Sequence, residues 1–230
     1  FIELGFEAGN GNAAPGNDRN KNGWGSAAVF AHFGDDLGES ASWRVGLSHL
    51  QTGATGRSYT DPINTVDNAF SGKSRLWIVD GIFKWAPNGN ATRTSFKLQG
   101  EYFRRQERGT LTYDPAGTAQ GLAFANAQSG GYVQGVYQFL PEWRVGLRYD
   151  RLDAGRPDLA FGASGLTLAD FPLLATYHPT RASLMFDYSP SEFSRFRLQF
   201  ARDKSRPDAT DNQVMLQYVM SLGVHGAHAF

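Results

Sequence analysis

The end of the chain limits its fold more than any other stretch. From Gln213 it reads QVMLQYVMSLGVHGAHAF. Val214, Leu216, Tyr218, Met220 and Leu222 share one face of an extended segment, while Gln213, Met215, Gln217, Val219 and Ser221 share the other. A period of two marks a strand with unlike faces. Taken alone, it also describes a half-buried strand in a soluble sheet. The rest of the chain has to decide.

Nine earlier segments repeat the pattern. Ile2, Leu4, Phe6 and Ala8 alternate with Glu3, Gly5 and Glu7. Residues 24–33 form a second strand with both faces largely apolar. Trp43, Val45 and Leu47 oppose Ser42, Arg44 and Ser48, and Trp77, Val79, Phe83 and Trp85 oppose Asp80 and Lys84. Phe96, Leu98 and Tyr102 oppose Lys97, Gln99 and Glu101. Val133, Tyr137 and Phe139 lead through Leu140-Pro141-Glu142 to Trp143, Val145, Leu147 and Tyr149, opposite Arg144, Arg148 and Asp150. Ala182, Leu184, Phe186 and Tyr188 oppose Arg181, Ser183 and Asp187, and Phe196, Leu198 and Phe200 oppose Arg195, Arg197 and Gln199.

These make ten strands joined by connections that alternate long and short, as in an up-and-down transmembrane barrel with long outer loops and short inner turns. Residues 52–72, 106–129 and 153–180 are expected as long loops. FPLLATYHPT (171–180) has strand-like composition, but counting it as a spanning strand breaks the alternation, so it belongs to a long loop or folds into the lumen.

The fold class expected is therefore all-β, a single-domain antiparallel barrel over residues 1–230. No run of 18 apolar residues exists, which excludes a helical membrane protein. A mean hydropathy of −0.40 does not exclude a barrel, whose alternation hides the lipid-facing half. With 22 basic and 22 acidic residues the chain has no electrostatic footprint for nucleic acid.

The apolar faces place aromatics near their ends: Trp43, Trp77, Trp85, Trp143, Tyr149, Tyr188 and Tyr218 are candidates for interfacial girdles. Trp77 and Trp85 are eight residues apart, roughly 20 Å along a tilted strand's membrane normal. The opposite faces carry a candidate lumen ladder: Arg44, Lys84, Lys97, Arg144, Arg148, Arg181, Arg195 and Arg197 against Glu3, Glu7, Asp80, Glu101, Asp150 and Asp187. Either cross-strand salt bridges in a polar lumen or an anion-selective ladder accounts for them. Arg144, Arg148, Arg181, Arg195 and Arg197 are expected to cluster on four consecutive strands.

The blocks KWAPNGNATRTSFKLQGEYFRR, YQFLPEWRVGLRYDRLD, SPSEFSRFRLQFARDKSRPDATDNQ and YVMSLGVHGAHAF resemble a proteobacterial outer-membrane family. It is described as zinc-regulated TonB-dependent receptors or as porin-like proteins. The resemblance covers nearly the whole chain. It implies an outer-membrane location, a link to zinc homeostasis, Phe230 as a signal to the barrel assembly machinery, and further strands ahead of FIELGFEAGN, to about sixteen. The plug of a TonB-dependent receptor has no counterpart in these residues, so the expected function is a passive porin-like channel for small hydrophilic solutes or ions. A non-conducting structural or partner-binding barrel is the alternative. The partners expected are the lipid bilayer, lipopolysaccharide, the assembly machinery and small solutes or ions. A homo-oligomer is admitted but not required.

Other candidates are weaker. His225 and His228, with His32, make an incomplete zinc set, so no metal or cofactor is expected. Ser48, His49, Asp61 and Asp67 lack any motif around them, and no catalytic residue or enzymatic activity is expected.

Overall fold

The computed structural model describes residues 1–12, 15–17 and 24–221; Phe230, His225 and His228 lie outside them. The strands are β1 (Ile2–Gly9), β2 (Ser26–Leu37), β3 (Ala41–Thr60), β4 (Asp67–Trp85), β5 (Ser95–Tyr113), β6 (Gln120–Leu140), β7 (Trp143–Asp153), β8 (Asp158–Leu159), β9 (Thr180–Ser191), β10 (Ser194–Lys204) and β11 (Asp211–Met220). All pair antiparallel in one sheet in the order β1-β2-β3-β4-β5-β6-β7-β9-β10-β11, with the two-residue β8 on β6. A soluble sandwich would need two packed sheets. The described residues form one.

Three expectations need correction. The sheet does not close: β1 and β11 are its edges. The second strand runs over Ser26–Leu37 rather than 24–33. The expected loops 52–72 and 106–129 are mostly strand, because β3, β4, β5 and β6 run 20, 19, 19 and 21 residues. At this end only 61–66, between β3 and β4, and 114–119, between β5 and β6, connect them. What is long at this end is the strands themselves.

Residues 171–180 stay outside the sheet until Thr180, with short 3-10 turns at Leu168–Asp170 and Pro172–Leu174. This segment packs back onto the extended strands. Phe171 is fully buried with Ala54, Phe70, Leu111, Leu122, Phe124 and Leu159. Phe70 and Phe124 meet edge-on at 5.7 Å, and Tyr113 and Phe171 at 5.6 Å. These residues form the apolar core of the molecule, a cap over one end of the sheet.

Cβ-less positions allow close side-chain traffic on the same face. In the register His32–Gly46–Asp80, a Cβ on Gly46 would lie 2.1 Å from Asp80 and 2.2 Å from His32. The glycine lets those two meet across β3.

Truncating Phe171 to Ala should cost the cap about 3–5 kcal/mol. Chymotrypsin cleavage after the exposed Leu168 and Leu173 in the 154–179 segment should then accelerate, with the β-sheet circular dichroism unchanged. Unchanged cleavage would mean that Phe171 does not hold the segment.

Candidate functional site

Directly opposed residues of an antiparallel ladder share a face, so the register assigns every side chain. One row reads Glu3, His32, Gly46, Asp80, Glu101, Tyr132, Asp150, Arg181, Asp203. The rows of equal parity toward the β2–β3 and β6–β7 turns hold Arg44 and Arg148, then Lys84 and Lys97, then Arg144, Asp187 and Arg197, with Arg195 beyond. All twelve ladder residues, and Glu3 and Glu7, lie on one polar face. Arg144, Arg148, Arg181, Arg195 and Arg197 occupy three neighbouring strands, β7, β9 and β10, not four.

The polar face is organised by ion pairs. Arg197 grips the buried Asp187 with two hydrogen bonds, at 2.7 and 2.8 Å, and Arg195 stands 3.9 Å from the same carboxylate. Arg148 pairs with Asp150 at 2.7 Å and lies 3.8 Å over the Tyr132 ring, whose hydroxyl donates to Glu101 at 3.1 Å. Arg181 is 3.5 Å from Asp203, and Arg144 donates to Gln138 at 3.0 Å. Lys84 and Lys97 face each other directly; like charges so placed repel. A cleft of about 410 Å³ beside them is lined by Lys97, Arg144, Arg148, Arg195 and Arg197 against the single carboxylate Asp187. Among the side chains lining it, cations outnumber carboxylates five to one.

The other face is apolar. Leu216 is 77% exposed, Leu4 73% and Val214 70%, and among the described residues nothing covers them. A patch this extensive is foreign to the exterior of a soluble monomer. Trp43, Trp77, Trp85, Trp143, Tyr149, Tyr188 and Tyr218 all lie on it, Trp43 one row inside Trp85. Near the turns, Trp143 stacks with Tyr188 and Phe196 with Tyr218, each at 4.7 Å. At the far limit His49 stacks on Trp77 at 4.1 Å.

That far limit is slanted. The last apolar or aromatic residue is Trp77 on β4, Tyr102 on β5, Tyr149 on β7 and Phe200 on β10. By register the limit shifts six residues over the five strand steps from β4 to β10. At about 3.3 Å per residue and about 4.8 Å between strands, the slant is roughly 40°, within the tilt of barrel strands.

Beyond Trp77 the faces exchange character. Arg75, Lys73, Arg104 and Arg108 now point to the formerly apolar side, while Phe70, Leu111, Leu122 and Phe124 point to the formerly polar one and receive the cap. Here Arg57 pairs with the buried Glu107 at 2.8 Å and lies 4.9 Å over Phe70. Sequence reasoning missed this pair because it took residues 52–72 and 106–129 as loops. Tyr59, packed against the cap, has its phenol pushed up to about 12 by burial, with the Asp61 charge adding to it.

The remaining candidates do not assemble. Ser48 and His49 point to opposite faces, and Asp61 caps its own loop by accepting from the Ile63 amide at 2.7 Å. His32 is bracketed by Glu3 at 2.9 Å and Asp80 at 3.5 Å. Among the described residues no cluster of three or more His, Cys, Asp or Glu side chains could hold a metal.

Comparison with known proteins adds little. No family model matches the chain. It is 28% identical over 167 residues to an uncharacterized protein of Aquifex aeolicus (strain VF5), a match covering 71% of this chain and 32% of that protein. The chain thus spans about a third of the length of this relative.

Two outcomes follow. Asp187→Ala leaves two arginines beside an empty site and should cost about 3–5 kcal/mol in urea unfolding, with Asp187→Asn costing less; equal stability of the Ala variant would refute the role of this pair. Because the folded-state pKa of Tyr59 is raised, its neutral form is favoured in the fold. Stability should therefore be constant below pH 10 and fall as pH rises toward about 12, and Tyr59→Phe should flatten that fall.

Proposed function

We propose that this chain forms most of a transmembrane barrel of the bacterial outer membrane and that the barrel is a porin-like channel for small hydrophilic solutes, with a preference for anions. One observation carries the reading. A single sheet has one exposed apolar face bounded by aromatics, that face slants by the tilt of barrel strands, and the opposite face is charged. Hydrocarbon covers such a face and water fills the other side.

On this reading the short turns face the periplasm and the extended ends of β3, β4, β5 and β6 stand outside. Among the described residues the outer edges of β1 and β11 have no partner strand, and an edge in hydrocarbon is not tolerated. Further strands, to about sixteen in all, would close the wall. The greater length of the Aquifex relative accords with this. The anion preference rests on the cleft where five cations meet one carboxylate. Outer-membrane location, contact with the barrel assembly machinery and a link to zinc homeostasis belong to the same proposal.

A non-conducting barrel is the second reading. It is favoured by the cap, which packs Phe171 and its neighbours over the outer end of the polar face. Single-channel recording of the full-length protein in planar bilayers separates the two. Discrete conductance is expected, with a reversal potential in a salt gradient that reports anion preference. Replacing Arg144, Arg148, Arg195 and Arg197 by Gln should move that potential toward cation preference. Absence of conductance would leave the non-conducting reading, and an unmoved potential would remove the anion preference.

A further inference from the structure

Where the apolar face ends, an arginine follows on four strands. Two residues past the last outward apolar side chain stand Arg75 on β4, Arg104 on β5, Arg151 on β7 and Arg202 on β10. Their register positions drop six residues from β4 to β10, so the line follows the slanted limit itself. Lys73 and Arg108 sit one row farther out, directly opposite each other.

We propose that these residues form a collar that binds the phosphorylated headgroup of a glycolipid in the outer leaflet, of the lipopolysaccharide type. The proposal rests on the membrane reading above and assigns it a lipid site. All six side chains are exposed. None makes an ion pair or side-chain hydrogen bond among the described residues, whereas Arg57, Arg148, Arg181 and Arg197 on the opposite face all do. Carboxylates on this side of the sheet include Asp153, two residues past Arg151 and 3.5 Å from His178, Asp158 on β8, and Asp67 on β4, which accepts from Thr60.

Arg75 is diagonal to Arg104 and to Arg108, and Lys73 opposes Arg108. Four cations therefore crowd two strands at roughly 5–8 Å between backbones. Such crowding is unfavourable unless a polyanion bridges it. A headgroup with several phosphates does so, and guanidinium presents paired donors that match phosphate oxygens. A single-phosphate phospholipid would neutralise only part of the cluster.

The other limit of the apolar face differs. Beside Trp85, Trp143 and Tyr188 the turns carry Glu39, Glu142 and Glu192 against one cation, Arg93. The collar therefore marks one leaflet, the one facing the extended strands.

The test compares the full chain with an Arg75→Gln/Arg104→Gln/Arg151→Gln/Arg202→Gln variant and a matching four-Lys variant. Arg44→Gln, on the polar face, is the control. Each is inserted into phosphatidylcholine vesicles with lipid A, with phosphatidylglycerol or with neither, then extracted in mild detergent, and the co-purifying lipid is identified and quantified by mass spectrometry.

The original chain should retain lipid A roughly ten-fold over phosphatidylglycerol. The four-Gln variant should lose most of this, the four-Lys variant should lose less, and Arg44→Gln should match the original. Equal retention by the four-Gln variant, or equal retention of both lipids, would overturn the collar. Displacement by excess inorganic phosphate without loss on neutral dilution would mean a free-phosphate site and also overturn it. Should the four-Gln variant fail to insert, Arg75→Gln and Arg104→Gln singly must each lower retention about three-fold; no change in either counts against the site. Failure of the original chain to become protease-protected in phosphatidylcholine alone would sink the membrane reading itself, an outcome distinct from loss of lipid selectivity with insertion intact.

Discussion

The pleat of the strand governs this molecule. Successive side chains go to opposite faces, so a ten-strand sheet is two surfaces written in one sequence. On β4 the outward residues run Trp85, Phe83, Gly81, Val79, Trp77 and then Arg75, Lys73, Ser71; the inward ones run Lys84, Ile82, Asp80, Ile78, Leu76 and then Ser74, Gly72, Phe70. Neither face is uniform. Each exchanges character at one level, and that level is what a chain crossing from an apolar medium into water would need. Up to it the outward face is apolar and the inward face carries the charges. Past it the outward face carries Arg75 and Lys73, and the inward face buries a core of its own.

The polar network and the cap follow from this exchange. Below the level, charges are held by partners on neighbouring strands, as Asp187 holds Arg197 and Glu101 holds Tyr132 under Arg148. Above it, Phe70, Leu111, Leu122 and Phe124 would face solvent were the 154–179 segment not folded over them with Phe171 at its centre. The buried pair Arg57–Glu107 sits at the junction. Its two members come from the extensions of β3 and β5, so it ties the extended strands together.

The sequence disclosed the lower half of this arrangement well and the upper half badly, for one physical reason. Alternation in fixed phase is easy to follow, and it put Arg44 through Arg197 on one face and the tryptophans on the other. At Trp77 and Tyr102 the phase slips by one: Leu111 is inward although Tyr102 is outward. Without a fixed phase, residues 52–72 and 106–129 read as polar loop, and Arg57 and Glu107 were lost with them. Glycines add to the effect. Gly72 and Gly109 oppose each other where a Cβ would lie 2.7 Å from the partner's Cα, and glycine in sequence suggests a turn. Retaining FPLLATYHPT as a loop succeeded because it relied on strand parity rather than on composition.

The slant supports the proposed membrane reading of the exposed apolar face over a second sheet in water. A face awaiting a second sheet in water would be bounded by rows perpendicular to the strands or by no regular line, since such a partner sets no common level. Here the limit descends about one residue per strand and a line of arginines descends with it. Tilted strands cut by a flat boundary produce that descent, and a flat boundary is what a bilayer surface is. The same geometry bears on closure. With strands about 4.8 Å apart and tilted about 40°, ten would close on a radius near 10 Å, which side chains largely fill, and sixteen on a radius near 16 Å. In the narrower ring Lys84, Lys97, Arg144 and Arg195 would be driven toward the charges opposite, with Asp187 the one carboxylate lining their cleft. The wider ring leaves water between them, and that is the arrangement in which an unmatched cluster of cations can persist on a polar face.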